Sequence, residues 1–539
     1  MIRRPILPAL LLLTGSLVAQ TPRGTLVMAV RQEPVAPVPY IGPSTAGNAD
    51  VADQLFLRLA TLGSGARTTG DDALVPELAQ RWIRRDARTV DFLLDPRARW
   101  HDGVPVSAAD VTFAWDLIRT PVLGVDQAPY ELIDSVLALD ARTVRVRFRR
   151  PSAEQVYTAG FLLQPLPRHL IGTLPADSLG SSAFARGPVG NGPFRFVRRV
   201  PGSSVELRAV PDFFLGTPGL RRLVFRLIGS TDAQVNALLA GETDVMAEVP
   251  VTALDRVAAR RDLRMVLTPG SFITYVLFNA KTPGDPDTEH PILAEQRVRR
   301  ALALALDRSA IAERAFGPGT QTPTAVRSQA WYWVGGGQAS GAADTAAARR
   351  LLAEAGWVDR DGDGIRDRDG TPLELGIIYP VQSSVFAGIA VQLEQAWRRV
   401  GVRARLEAID GAVWIQRRRV GQFDVDIAGA YQDPSPSSLA QSWSCTSAAQ
   451  PGSSNVGHWC DPEFDRLRTT ATTGPDPVAG FRAMFARMAN WQPAVVAGAP
   501  PGRVAVHTRY ENVVLRPSKP WTALWQWRVR PSAMLPRDR

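Results

Sequence analysis

The sequence predicts an α/β protein with more than one core, and three observations carry that prediction. The chain has 539 residues, 45% hydrophobic and 21% charged, a globular composition with length for several packed layers. Stretches with the two-residue period of strands alternate with amphipathic helical stretches along it. No internal repeat interrupts this order, and no stretch after the N-terminal leader is long and apolar enough to span a bilayer. The clearest unit is a strand, a turn and a helix. Val90, Phe92 and Leu94 alternate with Thr89, Asp91 and Leu93, the pattern of a half-buried strand. Asp102-Gly103 marks a turn, and Pro105 keeps the next residues extended. Ser107 with Asp110 reads as a capping box, and Val111, Trp115 and Ile118 then share one helical face.

The whole run PELAQRWIRRDARTVDFLLDPRARWHDGVPVSAADVTFAW, from Pro76 to Trp115, says more. In residue types and order it resembles the signature of the solute-binding proteins of ABC importers in the oligopeptide, dipeptide and nickel class. The resemblance covers nearly the whole mature chain. It implies a two-lobed periplasmic-binding-protein fold, type II-like and of cluster C, with an extra N-terminal subdomain. The implied first lobe combines residues 20–50, 187–269 and 501–539. The extra subdomain, 51–186, packs on it, and the second lobe is 270–500.

Bulk charge points to no other class. Lys and Arg number 62 against 52 Asp and Glu, a net charge of +10. The excess is spread out; its densest run, Val144–Arg150, reads as a strand with apolar Val144, Val146 and Phe148 on one side. This is no nucleic-acid footprint. Arg3-Arg4, the apolar run from Ile6 to Leu13, and small Gly15, Ser16 and Ala19 mark residues 1–19 as a secretory signal. No cysteine lies near that cleavage region, so the expectation is a periplasmic protein without a lipid anchor. The two cysteines, Cys445 and Cys460, share one Gly/Ser/Pro-rich segment. Export makes a bridge between them chemically sound. Closing a loop of about 15 residues contributes on the order of 3 kcal/mol.

Taken in order, Thr25–Val30 reads as a first strand, followed by a proline-rich loop to Tyr40. Asp50–Leu59 reads as a helix. Leu132–Phe148 is a strand pair turned at Asp140–Arg142, and Phe161–Ile171 is a proline-bearing segment before a helix. Gly187–Gly216 carries a Gly-Pro turn, a hairpin and an aromatic pair. Its Gly190-Asn191-Gly192 lacks the spacing and Lys of a phosphate loop and reads as a hinge or crossover turn. Leu220–Met246 is strand, helix, strand; Ser271–Ala280 is a strand. Arg297–Ile311 is an amphipathic helix. Asp344–Trp357 is another, capped by Asp344 and stopped by Gly356. Ile389–Val400 is a helix and Leu406–Ile409 a strand. Arg516–Val529 is aromatic and strand-like.

Chemistry-bearing motifs are sparse. His101, His169, His290, His458 and His507 show no metal-ligand spacing, and no nucleophile elbow is present. Asp359, Asp361, Asp363, Gly364 and Asp367 fall at the spacing of a calcium loop, but Gly370 stands where a bidentate acid is needed. No metal and no cofactor are therefore expected. The resemblance implies binding without reaction: a small solute or peptide is captured between lobes and passed to an inner-membrane ABC permease by a monomer.

The resemblance also locates the site. Glu33, on the loop after the first strand, is a candidate ligand neighbour, or else a surface carboxylate. Trp414 and Arg418 lie in a segment that lines the ligand in the family, with Arg418 a partner for a ligand carboxylate. Tyr431-Gln432-Asp433-Pro434 matches the main ligand-reading segment. Peptide-binding members carry an amine-holding aspartate where this chain has Ala430, so either Asp433 or Glu33 takes the amine or the preferred ligand lacks one. Tyr130, Trp331, Trp333 and Trp443 are further aromatics for a cleft, or for a core. The Cys445–Cys460 bridge is expected to brace the loop beside the ligand segment. Two other readings stand beside this one. The first is an exported hydrolase using a carboxylate pair. The second is a receptor-coupled sensor for a glycoside, an opine-like compound or a metal chelate.

Overall fold

Two large sheets, joined by two adjacent crossovers, organise the computed structural model. It describes residues 23–538 apart from 44, 126, 269, 271, 323–340, 432, 451–452 and 517. The leader and Trp331 and Trp333 thus lie outside the described residues.

The first sheet has seven strands, in the spatial order Leu263–Thr268, Gly502–His507, Val245–Met246, Thr25–Val30, Arg222–Leu227, Ser204–Ala209 and Phe194–Val200. Thr25–Val30 is central, parallel to both of its neighbours and buried along its length. That is why it reads as a continuous apolar run and not an alternating one. The second sheet has five strands, Arg403–Ile409, Glu374–Pro380, Val425–Tyr431, Phe272–Phe278 and Ala494–Gly498. Glu374–Pro380 is parallel to Arg403–Ile409 and Val425–Tyr431. Phe272–Phe278 runs antiparallel between Val425–Tyr431 and Ala494–Gly498.

The crossovers fall where Leu263–Thr268 leads into Phe272–Phe278 and where Ala494–Gly498 leads into Gly502–His507. They lie side by side. A Cβ added to Gly270 would meet the Pro500 carbonyl oxygen at 1.8 Å, so only glycine permits the approach. The two short connections run in opposite directions between the sheets.

A third sheet of four antiparallel strands, Ala79–Asp86, Thr89–Leu94, Thr143–Phe148 and Ile133–Ala138, packs its apolar face under the helix Ala108–Ile118. Val90, Phe92, Val144 and Val146 are fully buried there. Asp91, on the opposite face, is covered by two arginines: Arg85 Nε at 2.6 Å and Arg145 Nε at 2.7 Å. The bonds from Arg145, then those from Arg85, hold its carboxyl below the usual range, against the effect of burial. This sheet and the seven-stranded sheet share one core, in which Leu26, Met28 and Leu223 join Phe92 and Trp100. The five-stranded sheet has its own core, around Val276, Ile377, Trp397 and Val425.

The signature stretch ties these parts together. Asp110 accepts from the Ser107 amide (2.8 Å), the Arg168 amide (3.0 Å) and the buried Trp100 indole (3.2 Å). Next to it, the His101 ring sits against the returning chain. Its Nδ1 accepts from the Gly190 amide at 3.2 Å and its Nε2 donates to the Gly192 carbonyl at 3.0 Å. The ring is therefore neutral, and burial pushes its pKa down to about 4. Gly190-Asn191-Gly192 docks on the end of a helix: the Asn191 amide reaches the Leu55 carbonyl, and its side chain caps the Leu57 amide, both at 2.8 Å. A Cβ on Gly190 would stand 2.0 Å from the Leu55 oxygen.

Three elements differ from the sequence reading. The helix expected over Asp50–Leu59 spans Ala46–Leu55, because Thr45 caps its start by accepting from the Asn48 amide. Arg297–Ile311 is two helices, Gln296–Leu304 and Arg308–Phe316, since Asp307 caps the second. The tail Arg516–Val529 is not a strand but a 3-10 turn, Pro520–Gln526, followed by two strand residues, Arg528–Val529. Pro520 presets a helical φ at the first turn, and Trp521 and Trp527 fill the core from it.

The tail closes on a buried charge network. Arg509 donates to Asp244 (3.0 Å), to Asp538 (2.6 Å) and to the Thr25 carbonyl (2.7 Å). Arg509→Met leaves two buried carboxylates short of their common cation. It is expected to cost about 3–5 kcal/mol, read as a lowered midpoint in chemical denaturation. Gly270→Ala forces the two crossovers apart and is expected to cost on the order of 1–3 kcal/mol, read as a fall in thermal midpoint; unchanged stability would sink the close-approach account.

Candidate functional site: the cleft between the sheets

Both sheets turn the carboxyl ends of their parallel strands toward one cleft, the edge where open α/β sheets bind ligands. Arg31 follows directly on Thr25–Val30, and Glu248 stands two residues beyond Val245–Met246; both are exposed. Opposite them, Tyr431 ends Val425–Tyr431. Its hydroxyl pKa is raised, first by burial and next by Glu248, with Arg31 opposing and Asp50 adding. Those three groups of the first lobe therefore lie within electrostatic reach of a tyrosine of the second. The Tyr431 side is otherwise open. The residue is 73% exposed, and its ring meets Phe272 edge-on at 5.1 Å.

A polar clasp closes one side of the cleft. Tyr157 opens a π-helical turn, Tyr157–Phe161, beside the four-stranded sheet. Its hydroxyl donates to Asp433 at 2.8 Å. Two residues on, the Ser435 hydroxyl donates to Glu154 at 3.0 Å, and Thr68 donates to the other oxygen of Glu154. The Ala153 amide donates to the Thr472 carbonyl at 3.1 Å. The segment after Tyr431 is thus fastened to the extra subdomain. Burial holds the Glu154 carboxyl above its usual range against its hydroxyl donors, and the nearby Asp433 adds to the effect. Burial and then Asp433 raise the Tyr157 hydroxyl, which keeps it a donor.

A charge group ties the helix Ala46–Leu55 to the C-terminal tail. Asp53 pairs with Arg58 at 2.8 Å and with Lys519 at 3.3 Å. Burial opposes ionisation there, but Lys519 and Arg58 together hold its pKa below the ordinary value. The Arg58 amide donates to Glu77 at 3.0 Å, and the Arg58 guanidinium lies over the Phe161 ring at 4.9 Å. Asp50, one helical turn before Asp53, is half-buried.

The residues singled out in the sequence fall in different places. Tyr431 faces the cleft, and Asp433 is its neighbour in the clasp, where it also accepts from the Ser435 amide at 2.7 Å. Glu33 points to the hairpin of the first sheet, paired with Arg199 at 2.9 Å and accepting from the Gly202 amide at 3.2 Å. Trp414 and Arg418, on the helix Gly411–Arg419, both donate to Asp426, at 2.7 and 2.6 Å. Arg418 stacks on the Trp414 ring at 4.7 Å, so the pair fastens this helix over a fully buried carboxylate. Tyr130 is buried against Trp115. Trp443 packs between Tyr275 and Trp459, beside the Cys445–Cys460 disulfide. Sequence reasoning missed Asp50, Glu154, Tyr157, Ser435 and Glu248. Glu154 and Ser435 are 281 positions apart, and no local pattern links them.

Among the described residues, Asp359, Asp361 and Asp363 are the acidic group with oxygens close enough for one cation. They are exposed, and they accept from the amides of Gly362, Asp363, Gly364 and Ile365 in the turn itself. A separate recess of about 400 Å³, between Thr217, Asn512 and Trp525, shares no residue with the cleft. No helix among the described residues is long and apolar enough to cross a membrane.

Known proteins place this architecture. The chain is 29% identical over 376 residues to an ABC transporter peptide-binding protein of Brucella abortus, covering 68% of this chain and 67% of that one. It is 25% identical over 441 residues to the periplasmic murein peptide-binding protein MppA of Escherichia coli, covering 74% of each. In fold it matches the oligopeptide-binding protein AppA of Bacillus subtilis, solved with a nonapeptide, at a TM-score of 0.76 and 21% identity. That match covers 95% of this chain and 100% of AppA. It also matches NikZ of Campylobacter jejuni, solved with Ni(L-His), at a TM-score of 0.76 and 21% identity over 94% of this chain and 100% of NikZ. The fold is the two-lobed periplasmic-binding-protein α/β fold with an extra N-terminal subdomain. The family model of the bacterial extracellular solute-binding proteins, family 5, matches residues 73–451, and the chain belongs to that family.

Proposed function

We propose that this protein captures a peptide or peptide-like solute in the cleft and delivers it, unchanged, to the membrane permease of an ABC importer. The observation that carries the reading is Tyr431: a large aromatic, 73% exposed, at the mouth of a cleft that two crossovers allow to open. Exposed aromatics rimmed by polar groups mark binding surfaces. The relatives named above support a peptide as the solute. The protein is exported through residues 1–19, works in the periplasm as a monomer without a lipid anchor, and uses no metal or cofactor. Residues 51–186 act as a fixed wall on which the second lobe, 270–500, closes. The hydrolase alternative gains nothing from Glu154 and Asp433, because both carboxylates are occupied by hydroxyl and amide donors.

Two outcomes test this. Native mass spectrometry of the protein mixed with a short-peptide library is expected to show retained, uncleaved ligand, while release of fragments refutes binding without reaction. Tyr431→Ala is expected to weaken the retained ligand about tenfold, equivalent to about 1.4 kcal/mol, with the thermal midpoint unchanged.

The clasp adds a pH dependence. The folded pKa of Glu154 is raised, so its contribution to stability is complete below the ordinary glutamate value of 4.5 and is lost as pH rises through the folded value. Glu154→Gln removes that titration. The difference in thermal midpoint between wild type and Glu154→Gln is expected to move in favour of wild type as pH is lowered from neutral toward 4.5. A difference constant with pH contradicts the clasp.

A further inference from the structure

We propose that the recess beside Trp525 is a second binding site, which takes a saccharide unit at the end of the first sheet remote from the cleft. The inference does not depend on what the cleft captures.

The recess lies at the amino ends of the parallel strands, whereas the cleft lies at their carboxyl ends. Thr25 pairs with Arg222 where both strands start, and Gly219, in the wall of the recess, comes just before Arg222. Arg528, in the same wall, adjoins Val529, which packs on Gly24: a Cβ on Gly24 would meet Val529 Cγ2 at 2.4 Å. The six-residue strand Thr25–Val30 therefore separates recess from cleft by about 20 Å. The fold fixes the walls. The Gly219 amide donates to the Trp525 carbonyl at 2.7 Å. A Cβ on Gly219 would stand 2.4 Å from the Trp527 carbonyl oxygen, so this loop is pressed against the tail. Phe213 holds the Trp525 ring edge-on at 5.5 Å. The Trp527 indole donates to the Val514 carbonyl at 3.3 Å.

The polar side chains in these walls are not used by the fold. The Thr217 hydroxyl, the Asn512 and Gln526 carboxamides and the Trp525 indole N–H make no hydrogen bond with a described residue, and all four residues line the one recess. Their chemistry selects the guest. No carboxylate lines the recess, so nothing there is matched to a cation. An apolar guest would strip water from the carboxamides and the hydroxyl and return no hydrogen bond. An anion would meet one guanidinium, Arg528, among groups that accept as readily as they donate. A saccharide fits the whole set. Each of its hydroxyls both donates and accepts, as the hydroxyl and carboxamide side chains do. The apolar C–H face of its ring suits an indole, which pairs a broad apolar surface with one polar N–H. A volume of about 400 Å³ is that of a small-molecule site.

Saturation-transfer NMR on the full mature protein tests this with two soluble probes, cellobiose and di-N-acetylchitobiose. At least one is expected to show transfer to its ring protons, with a dissociation constant on the order of 1 mM. Gln526→Ala and Asn512→Gly are each expected to weaken that binding about tenfold. Glycine suits the left-handed backbone at Asn512, whose φ is 55°. Trp525→Ala is expected to abolish the transfer. Should Trp525→Ala fail to fold, since Phe213 packs on that ring, the two polar variants decide. Tyr431→Ala is expected to leave saccharide binding unchanged. Sedimentation with insoluble cellulose and chitin separates the sources: retention by wild type and not by Gln526→Ala makes the guest a glycan chain, and transfer to the disaccharides alone makes it a free sugar. Binding that Tyr431→Ala removes and Gln526→Ala does not puts the sugar in the cleft and overturns the site. No transfer to either disaccharide at about 10 mM, with no retention on either polymer, overturns it as well. Both failures leave peptide capture in the cleft untouched.

Discussion

The arrangement depends on one buried arginine. Arg509 is 1% exposed in its side chain, and its guanidinium reaches three segments remote in sequence. It bonds Asp244 beside the central strand, Asp538 near the C-terminus and the carbonyl of Thr25, where that strand begins. Asp538 in turn accepts from the Thr25 amide at 2.7 Å, and Asp244 from the Val27 amide at 2.9 Å. A chain that leaves a sheet, builds a second lobe and comes back needs its return fixed against its start. Buried ion pairs are weak stabilisers compared with apolar packing, yet removing one member is severe. Here the geometry they impose matters more than their energy. The strand they clamp ends at Val30, and Arg31 steps from it into the cleft.

The second lobe solves a similar problem with Asp426. Its neighbours Val425 and Ile427 point into the core, so a strand residue of opposite parity faces the other side of the sheet. Burial raises its pKa against the bonds from Arg418 and Trp414. The helix that carries those two residues has no buried position of its own. Polar bonds to one carboxylate therefore do for it what an apolar stripe does for an ordinary helix. Trp414 and Arg418, the aromatic and cation types expected of a ligand wall, thus hold this helix in place.

Much of the fold was legible in the sequence because its signals are local. The capping residues Asp344 and Asp307, the stop at Gly356 and the alternation of Thr89–Leu94 each act within a few positions, and all but Asp307 signalled their elements. Asp307 was overlooked because the apolar spacing on both sides of it runs on in phase. The aromatic tail misled for a related reason: bulky aromatics favour strands, but Pro520 decides the backbone. The site was less legible. Tyr431 was singled out because it sits in a recognisable segment. Glu154 and Tyr157 became meaningful only once remote segments met, at the clasp with Asp433 and Ser435.

What distinguishes wall from site in this cleft is whether a charge has a partner within the protein. Glu33 and Arg418 have the side chains that suit a ligand, but each is already satisfied, and recruiting either would first break an ion pair. Such a break leaves its partner exposed to the same desolvation, so the gain from a new contact is offset by the loss of the old one. A binding protein that must release its solute to a permease gains little from anchors of that kind, because the internal pair competes throughout. The clasp at Glu154 and Asp433 joins the segment after Tyr431 to the extra subdomain at the side of the same cleft.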